Sequence, residues 1–375
     1  MSAIVVPRPT ARATPLLTVD LDAIASNTRV IRSLIRGEMM AVVKADGFGH
    51  GAVPVARAAL ANGATSLGVA TVGEALQLRS AGIDVPVLSW LNAPDADFES
   101  AIRAGVDLAV PSIQHLAEVV DAARVMGRRA RVHLHVDAGM NRDGADRAEW
   151  PALARASRAA ELRGELTVVG VMSHLPCADQ PGHPSTQAGR SAFLDAVAEI
   201  RDAGIRPRTL HLAATAAALS EPGTHFDLCR VGAGLYGIGA GLTPALTLAA
   251  PVASVRDILR NTPVGYGHSW VSDRATRLAL VPLGYGDGVP RVATATAEVL
   301  VHGRRRPLAG VISMDQLVVD VGDLPVRPGD EVALFGPGTS GEPTIADWSR
   351  WAQTIPHEIM TGLGARIGRV YAGTL

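Results

Sequence analysis

The chain is almost without lysine. Of 35 Lys and Arg residues, Lys44 is the only lysine and the other 34 are arginine. Cysteine is nearly absent too. Cys177 and Cys229 are too few for a disulfide framework or a cysteine-rich metal site, and they suit a reducing cytoplasm. The net charge is −1, and the longest basic run, Arg304-Arg305-Arg306, lies between strand-like segments. It reads as a hairpin turn, so no nucleic-acid partner is expected. No stretch reaches the ~20 apolar residues of a membrane span, and MSAIVVPRPTARATP at the start carries no apolar signal core or cleavage pattern. The 11 histidines include no pair at metal-ligand spacing with acidic partners. His133 and His135 alternate along a strand and read as residues of one strand face, so no metal is expected.

What is present is an apolar chain of 375 residues, 47% hydrophobic, enough for a large core and two domains. Short apolar runs at residues 39–44, 67–71, 86–90, 107–111, 132–136, 167–173, 209–213 and 228–231 read as strands. Helical periods fall between them, among them 51–61, 73–81, 113–126, 151–163 and 187–203, and a further helix at 22–35 precedes the first strand. Eight strand–helix alternations predict a (β/α)8 barrel of the TIM type. An open doubly wound sheet is disfavoured, because no Gly-rich dinucleotide fingerprint follows the first strand. Near Gly241 the helical periods fade. Segments 252–258, 278–282, 297–301, 316–321 and 331–335 read as short strands, 346–353 and 356–362 as short helices, and 367–371 as a last strand. The expected division is a barrel over 1–241, with a short N-terminal extension, and a mostly-β domain over 242–375.

The single lysine sits in AVVKADGFGHG, directly after a buried strand and before Asp46, Gly47, Gly49 and Gly51, which read as a tight turn. Arginine is neither a nucleophile nor a base at working pH. A lysine amine can shed its proton and condense with a carbonyl. At the carboxyl end of a barrel strand, where active sites are built, Lys44 reads as a Schiff-base lysine.

Other motifs end at the same side of the barrel. VDAGMNR closes the fifth strand with Arg142 and VMSHL the sixth with His174. HLAAT closes the seventh with Thr215. RVGAGLYG follows the eighth and carries Arg230, Gly232 and Ala233, a glycine turn suited to a phosphate held by backbone N–H groups. Tyrosine is scarce. Tyr266 in GYGHSW and Tyr285 in GYGDG are both flanked by glycines that expose the ring, and spacing alone distinguishes neither from a tyrosine in an ordinary turn.

Taken in order, AVVKADGFGHG, VDAGMNRDG, GVMSHL, HLAAT, RVGAGLYG, VGYGHSW, LGYGDGVPR, ISMDQ and TIPHEI make the chain resemble alanine racemase of fold type III over nearly its whole length. The resemblance implies pyridoxal 5′-phosphate (PLP) held by Lys44, with Tyr266 as a second base reaching in from the β domain of a partner subunit. It implies Arg230 at the pyridine nitrogen, with His174 linking Arg230 to the Tyr266 hydroxyl. Thr215, Gly232, Ala233 and His357 would hold the phosphate. Arg142 would bind a ring oxygen, and Met314 and Asp315 would line the substrate carboxylate region from the partner. The implied activity is interconversion of L- and D-alanine for peptidoglycan, in a cytoplasmic homodimer with shared active sites.

The chemistry behind those roles stands on its own. Racemisation removes a proton from one face of Cα and returns it to the other, so two bases suffice. A free tyrosine titrates near ~10, and positive charge from Arg230 and His174 would lower it. Arginine at the pyridine nitrogen only donates, so the ring stays neutral and the carbanion is reprotonated quickly.

Three departures from the family matter. Phe48 and His357 replace tyrosines that touch the phosphate, and His135 replaces a lysine that is often carbamylated and orients Arg142; with no second lysine in the chain, that modification is excluded. Ser313 also replaces a frequent cysteine. These departures leave room for a racemase of another amino acid, such as serine. A non-catalytic PLP-binding protein would resemble the barrel alone, and a related decarboxylase would carry an acid where this chain has Arg230.

Overall fold

The structure is a computed structural model describing residues 14–373; the reading of the first residues as lacking a signal falls largely outside it. Strand β1 is Leu16–Asp20. The next eight strands are β2 Glu38–Val42, β3 Ser66–Val69, β4 Val87–Ser89, β5 Asp107–Val110, β6 Ala130–His135, β7 Leu166–Met172, β8 Thr209–His211 and β9 Leu228–Val231. They form one parallel sheet in the order β8-β7-β6-β5-β4-β3-β2-β9. A parallel bridge between Ala214 and Arg230 joins the two end strands and closes the barrel. Most of these strands are buried along nearly their whole length, as parallel strands covered on both faces must be. This is the (β/α)8 barrel expected, with each strand within a few residues of its predicted bounds.

The helices follow local signals. Helix Leu21–Leu34 is capped by Asp20, whose Oδ1 accepts from Ala23 N at 3.0 Å. Helix Val72–Ser80 opens on a capping box of Thr71 and Glu74. Helix Pro184–Asp202 begins before its predicted 187 because Pro184 starts it and His183 caps it.

The remaining strands are β10 Leu246–Pro251, β11 Ser254–Ile258, β12 Pro263–Val264, β13 Trp270–Val271, β14 Thr276–Val281, β15 Glu298–Val301, β16 Arg304–Pro307, β17 Leu317–Gly322, β18 Glu331–Phe335 and β19 Gly368–Ala372. A six-stranded sheet runs β16-β15-β18-β10-β1-β19, and a three-stranded one β11-β14-β17. Strand β1 pairs antiparallel with β10 and parallel with β19, so this sheet draws on both ends of the chain. The arginine run is not a turn. His302 and Gly303, both at positive φ, make the turn, and the arginines form the returning strand β16 at the sheet edge. Charged side chains suit an edge that must not pair further. Among the described residues no helix is long and apolar enough to cross a membrane, and no group of three or more His, Cys, Asp or Glu residues is placed to hold a metal.

Candidate active site

Beyond β2 the chain does not make an ordinary tight turn. Ala45, Asp46, Gly47, Phe48 and Gly49 are consecutive left-handed residues, with φ of 51, 50, 61, 53 and 79°. For the three that are not glycine this conformation costs roughly 1–2 kcal/mol each. It persists because its surroundings hold it. Glu74 Oε1 accepts from Ala45 N at 2.7 Å, and Asp46 Oδ1 from Ala52 N at 2.9 Å. Arg369 on β19 donates to the Gly49 carbonyl at 3.0 Å. A Cβ on Gly49 would run into the Met360 carbonyl, and one on Gly51 into the Tyr371 hydroxyl. Helix Pro356–Thr361 and β19 therefore clamp the turn that carries Lys44.

Lys44 is half-buried, its Nζ 5.8 Å from the centre of the Trp90 ring. Its pKa is lowered, first by burial and then by the charge of Arg142; Glu74 opposes the shift and Arg230 adds to it. Both main causes favour the free amine, the nucleophilic and basic form.

Arg230, in the middle of β9, is buried. It donates to the carbonyls of Ser173 at 2.6 Å, His211 at 2.8 Å and Leu212 at 3.1 Å, and its Nη2 lies 3.3 Å from His174 Nδ1. Burial lowers its pKa to about 10, so it stays protonated at neutral pH. His174 is different. Burial, then the charges of Arg230, Arg142 and Lys44, push it down to about 3. It is neutral, so the expectation that His174 supplies positive charge is corrected. It can only accept from Arg230 and pass a hydrogen bond on.

Thr215 opens the short helix Thr215–Ser220 rather than ending a strand, and its hydroxyl accepts from the amides of Gly232 and Gly234, both at 3.2 Å. Ala233 starts the 3-10 turn Ala233–Tyr236 beside them. A Cβ on Gly232 would come within 3.2 Å of Phe48 and 3.3 Å of Val42. Phe48 stacks on Tyr236 at 4.6 Å and tilts toward His357 at 5.7 Å. The Nδ1 of His357 is buried with no protein partner. His135 is buried with Nδ1 3.5 Å from Asp143, and burial holds it near a pKa of about 4. Arg142 is exposed, and its charge acts on Lys44, His135 and His174.

Lys44, Arg142, His174, Thr215, Arg230, Gly232, Ala233 and His357 thus gather at one end of the barrel. Tyr266, Met314 and Asp315 do not join them. Tyr266 is 73% exposed at the tip of the β12–β13 hairpin, between Gly265 and Gly267, both at positive φ. Met314 is exposed, and Asp315 Oδ1 accepts from Arg366 at 2.7 Å. Among the described residues no hydrogen bond, ion pair or ring contact joins this second group to the first. Sequence reasoning did not single out Tyr236, whose buried hydroxyl donates to the Val42 carbonyl at 3.0 Å, nor His211, which lies against Arg230. Both stand inside motifs already picked out, RVGAGLYG and HLAAT, and that was the available signal.

Two family models match the chain: alanine racemase, N-terminal domain, over residues 19–240, and alanine racemase, C-terminal domain, over residues 245–371. An alanine racemase of Thermobifida fusca is 51% identical over 365 residues, covering 95% of this chain and 98% of the relative. The crystal structure of alanine racemase from D-cycloserine-producing Streptomyces lavendulae superposes with a TM-score of 0.95 at 44% identity, covering 98% of this chain and 99% of that one. That of the Bartonella henselae enzyme, with covalently bound pyridoxal phosphate, gives 0.87 at 29% identity over 96% of this chain and 100% of that one.

Proposed function

This chain belongs to the alanine racemase family, and from that premise we propose that it interconverts L- and D-alanine with Lys44 and Tyr266 as its two bases. It is an isomerase of the PLP-dependent kind. The observation that carries the reading is the pairing of a half-buried lysine of lowered pKa with a buried arginine whose partners are carbonyl oxygens and imidazole nitrogens.

The donor set fits PLP. An amine is available for its aldehyde. A donor-only guanidinium suits its ring nitrogen. The hydroxyl proton of Thr215, whose oxygen already accepts from the Gly232 and Gly234 amides, the neighbouring Ala233 amide and the unpartnered His357 Nδ1 suit its phosphate. Bound there, the cofactor supplies the electron sink that acidifies the substrate Cα–H. Lys44 takes or returns the proton on one face of Cα, and Tyr266 of the partner subunit does so on the other. Arg230 keeps its own proton and only donates, while neutral His174 accepts from it and relays toward the tyrosine. Arg142 serves the cofactor ring oxygen and the substrate. Met314 and Asp315 of the partner subunit close the carboxylate side.

A homodimer follows from this assignment, since one chain keeps Tyr266 on an exposed hairpin apart from Lys44. We place the enzyme in the cytoplasm and its D-alanine in peptidoglycan synthesis. A serine-specific racemase and a non-catalytic PLP carrier are less well supported, because the match to alanine racemases spans the barrel and the β region alike. The test is loss of optical activity from L-alanine, followed by circular dichroism with PLP present. Racemisation of alanine well above that of serine and larger amino acids is expected. An intact cofactor absorption band with no turnover of alanine would refute the assignment.

A further inference from the structure

Behind Arg230 a line of hydrogen-bonding side chains descends through the barrel interior. Arg230 Nη1 lies 3.2 Å from His211 Nδ1. His211 Nε2 lies 2.9 Å from His133 Nδ1, with the two rings edge to face at 5.0 Å. His133 Nε2 lies 3.4 Å from Asp107 Oδ2. Asp107, the first residue of β5, is gripped by Arg131, whose Nε and Nη2 donate at 2.5 and 3.1 Å. Arg131 is 47% exposed, whereas Asp107, His133, His211 and Arg230 are all buried. The barrel makes room for this line. A Cβ on Gly170 of β7 would sit 2.5 Å from His133 Nδ1.

The chemistry of the two ends dictates the protons between them. A guanidinium has donors and no acceptor, so His211 Nδ1 must be bare. Neutral His211 then carries its proton on Nε2 and donates to His133 Nδ1. His133 in turn carries its proton on Nε2 and donates to Asp107. An ionised carboxylate has acceptors only, so the line is satisfied in one polarity and no other. The reverse polarity would set an N–H of His211 against an N–H of Arg230. Arg230 has no carboxylate partner in its own hydrogen bonds, and the carboxylate at the far end of the line, Asp107, is paired with Arg131. A carboxylate bonded directly to Arg230 would compete for the donors it turns to the cofactor.

We propose that Asp107 is a positioning residue for the racemisation: acting through His133 and His211, it fixes the tautomer of both imidazoles and so keeps an acceptor against Arg230. The inference rests on the reading of Arg230 as the donor to the cofactor ring nitrogen. Its first measurement does not. Long-range ¹H–¹⁵N correlation spectra of ¹⁵N-histidine-labelled protein, cofactor-free and cofactor-loaded, report which nitrogen of each ring carries the proton. His133→Gln and His211→Gln variants assign the signals. Both rings are expected neutral with the proton on Nε2 at pH 7–8. In Asp107→Asn the His133 proton should move to Nδ1 or the ring should gain a second proton, and kcat should fall roughly tenfold or more with KM little changed, the effect typical of losing a carboxylate behind a functional histidine. Asp107→Glu should restore the tautomers and part of kcat. Arg131→Gln removes the ion pair but keeps the carboxylate, and should keep the tautomers. A proton on His211 Nδ1 in the wild-type protein would overturn the proposal, whether or not any variant folds. So would a folded Asp107→Asn protein with unchanged tautomers and unchanged kcat. The expected tautomers together with full activity in Arg230→Gln would instead overturn the role given to Arg230.

Discussion

Acid should unfold this protein well before its carboxylates titrate, because it buries histidines in the neutral form. His50 and His135 are lowered from 6.5 to about 4, and His174 to about 3. In each, burial is the largest cause. His50 Nδ1 sits 2.9 Å from the Phe48 carbonyl while its Nε2 has no partner, so a charged ring there has nowhere to place its second proton. The folded pKa lies below the unfolded one, so the stabilisation is present above pH 6.5. It is lost as pH falls from 6.5 toward 4, where the unfolded chain binds protons that the folded one refuses. At pH 5 an unfolded histidine of pKa 6.5 is about 30 to 1 protonated and the buried one mostly neutral, a loss of about 2 kcal/mol per residue. Three such residues together approach ~6 kcal/mol, comparable to the whole stability of many domains, ~5–15 kcal/mol. The assay is urea unfolding at fixed protein concentration, at pH 7.5, 6 and 5. The midpoint should drop steeply below pH 6.5, and His50→Gln should remove about a third of that dependence. A midpoint that stays flat from pH 7.5 to 5, or a His50→Gln protein with the same slope as wild type, would refute the reasoning.

Two substitutions probe the Lys44 turn. In Gly49→Ala the new methyl group meets the Met360 carbonyl at a φ of 79°. At least ~1–2 kcal/mol should be lost, with a fall of several degrees in Tm and weaker cofactor binding, because the Gly49 carbonyl that Arg369 holds must move. Phe48→Tyr adds a hydroxyl where Phe48 faces Gly232 and His357. A hydrogen bond to a charged phosphate is worth about 1.5–3 kcal/mol, so PLP should be held roughly ten- to a hundredfold more tightly in an absorbance titration, with little change in kcat.

Much of the barrel was legible because its strands are covered on both faces and read as unbroken apolar runs; 228–231 matched its strand at both ends. Lys44 was legible because it has no rival in the composition. What was hidden depends on distance along the chain. Strand β1 looks like a loop until it is paired with residues more than 200 positions away. The left-handed run at 45–49 rests on β19 and on helix Pro356–Thr361, so the glycines at 47, 49 and 51 suggested only a turn. His133 was read correctly as lying on a strand face, but its partner His211 is 78 residues on. The neutrality of His174 follows first from its burial and then from the charges folded around it, neither of which a motif encodes. Tyr266 could be named from the resemblance, yet spacing did not separate it from Tyr285, because both lie in exposed glycine-flanked turns.

The central claim is that Lys44 of one chain and Tyr266 of another form one site. The measurement that tests it most directly mixes two inactive proteins, Lys44→Ala and Tyr266→Ala, and assays purified heterodimers for racemisation of alanine. A heterodimer has one site with both defects and one with neither, so about half the wild-type activity per dimer should return. Verified heterodimers that stay as inactive as their parents would contradict the shared site.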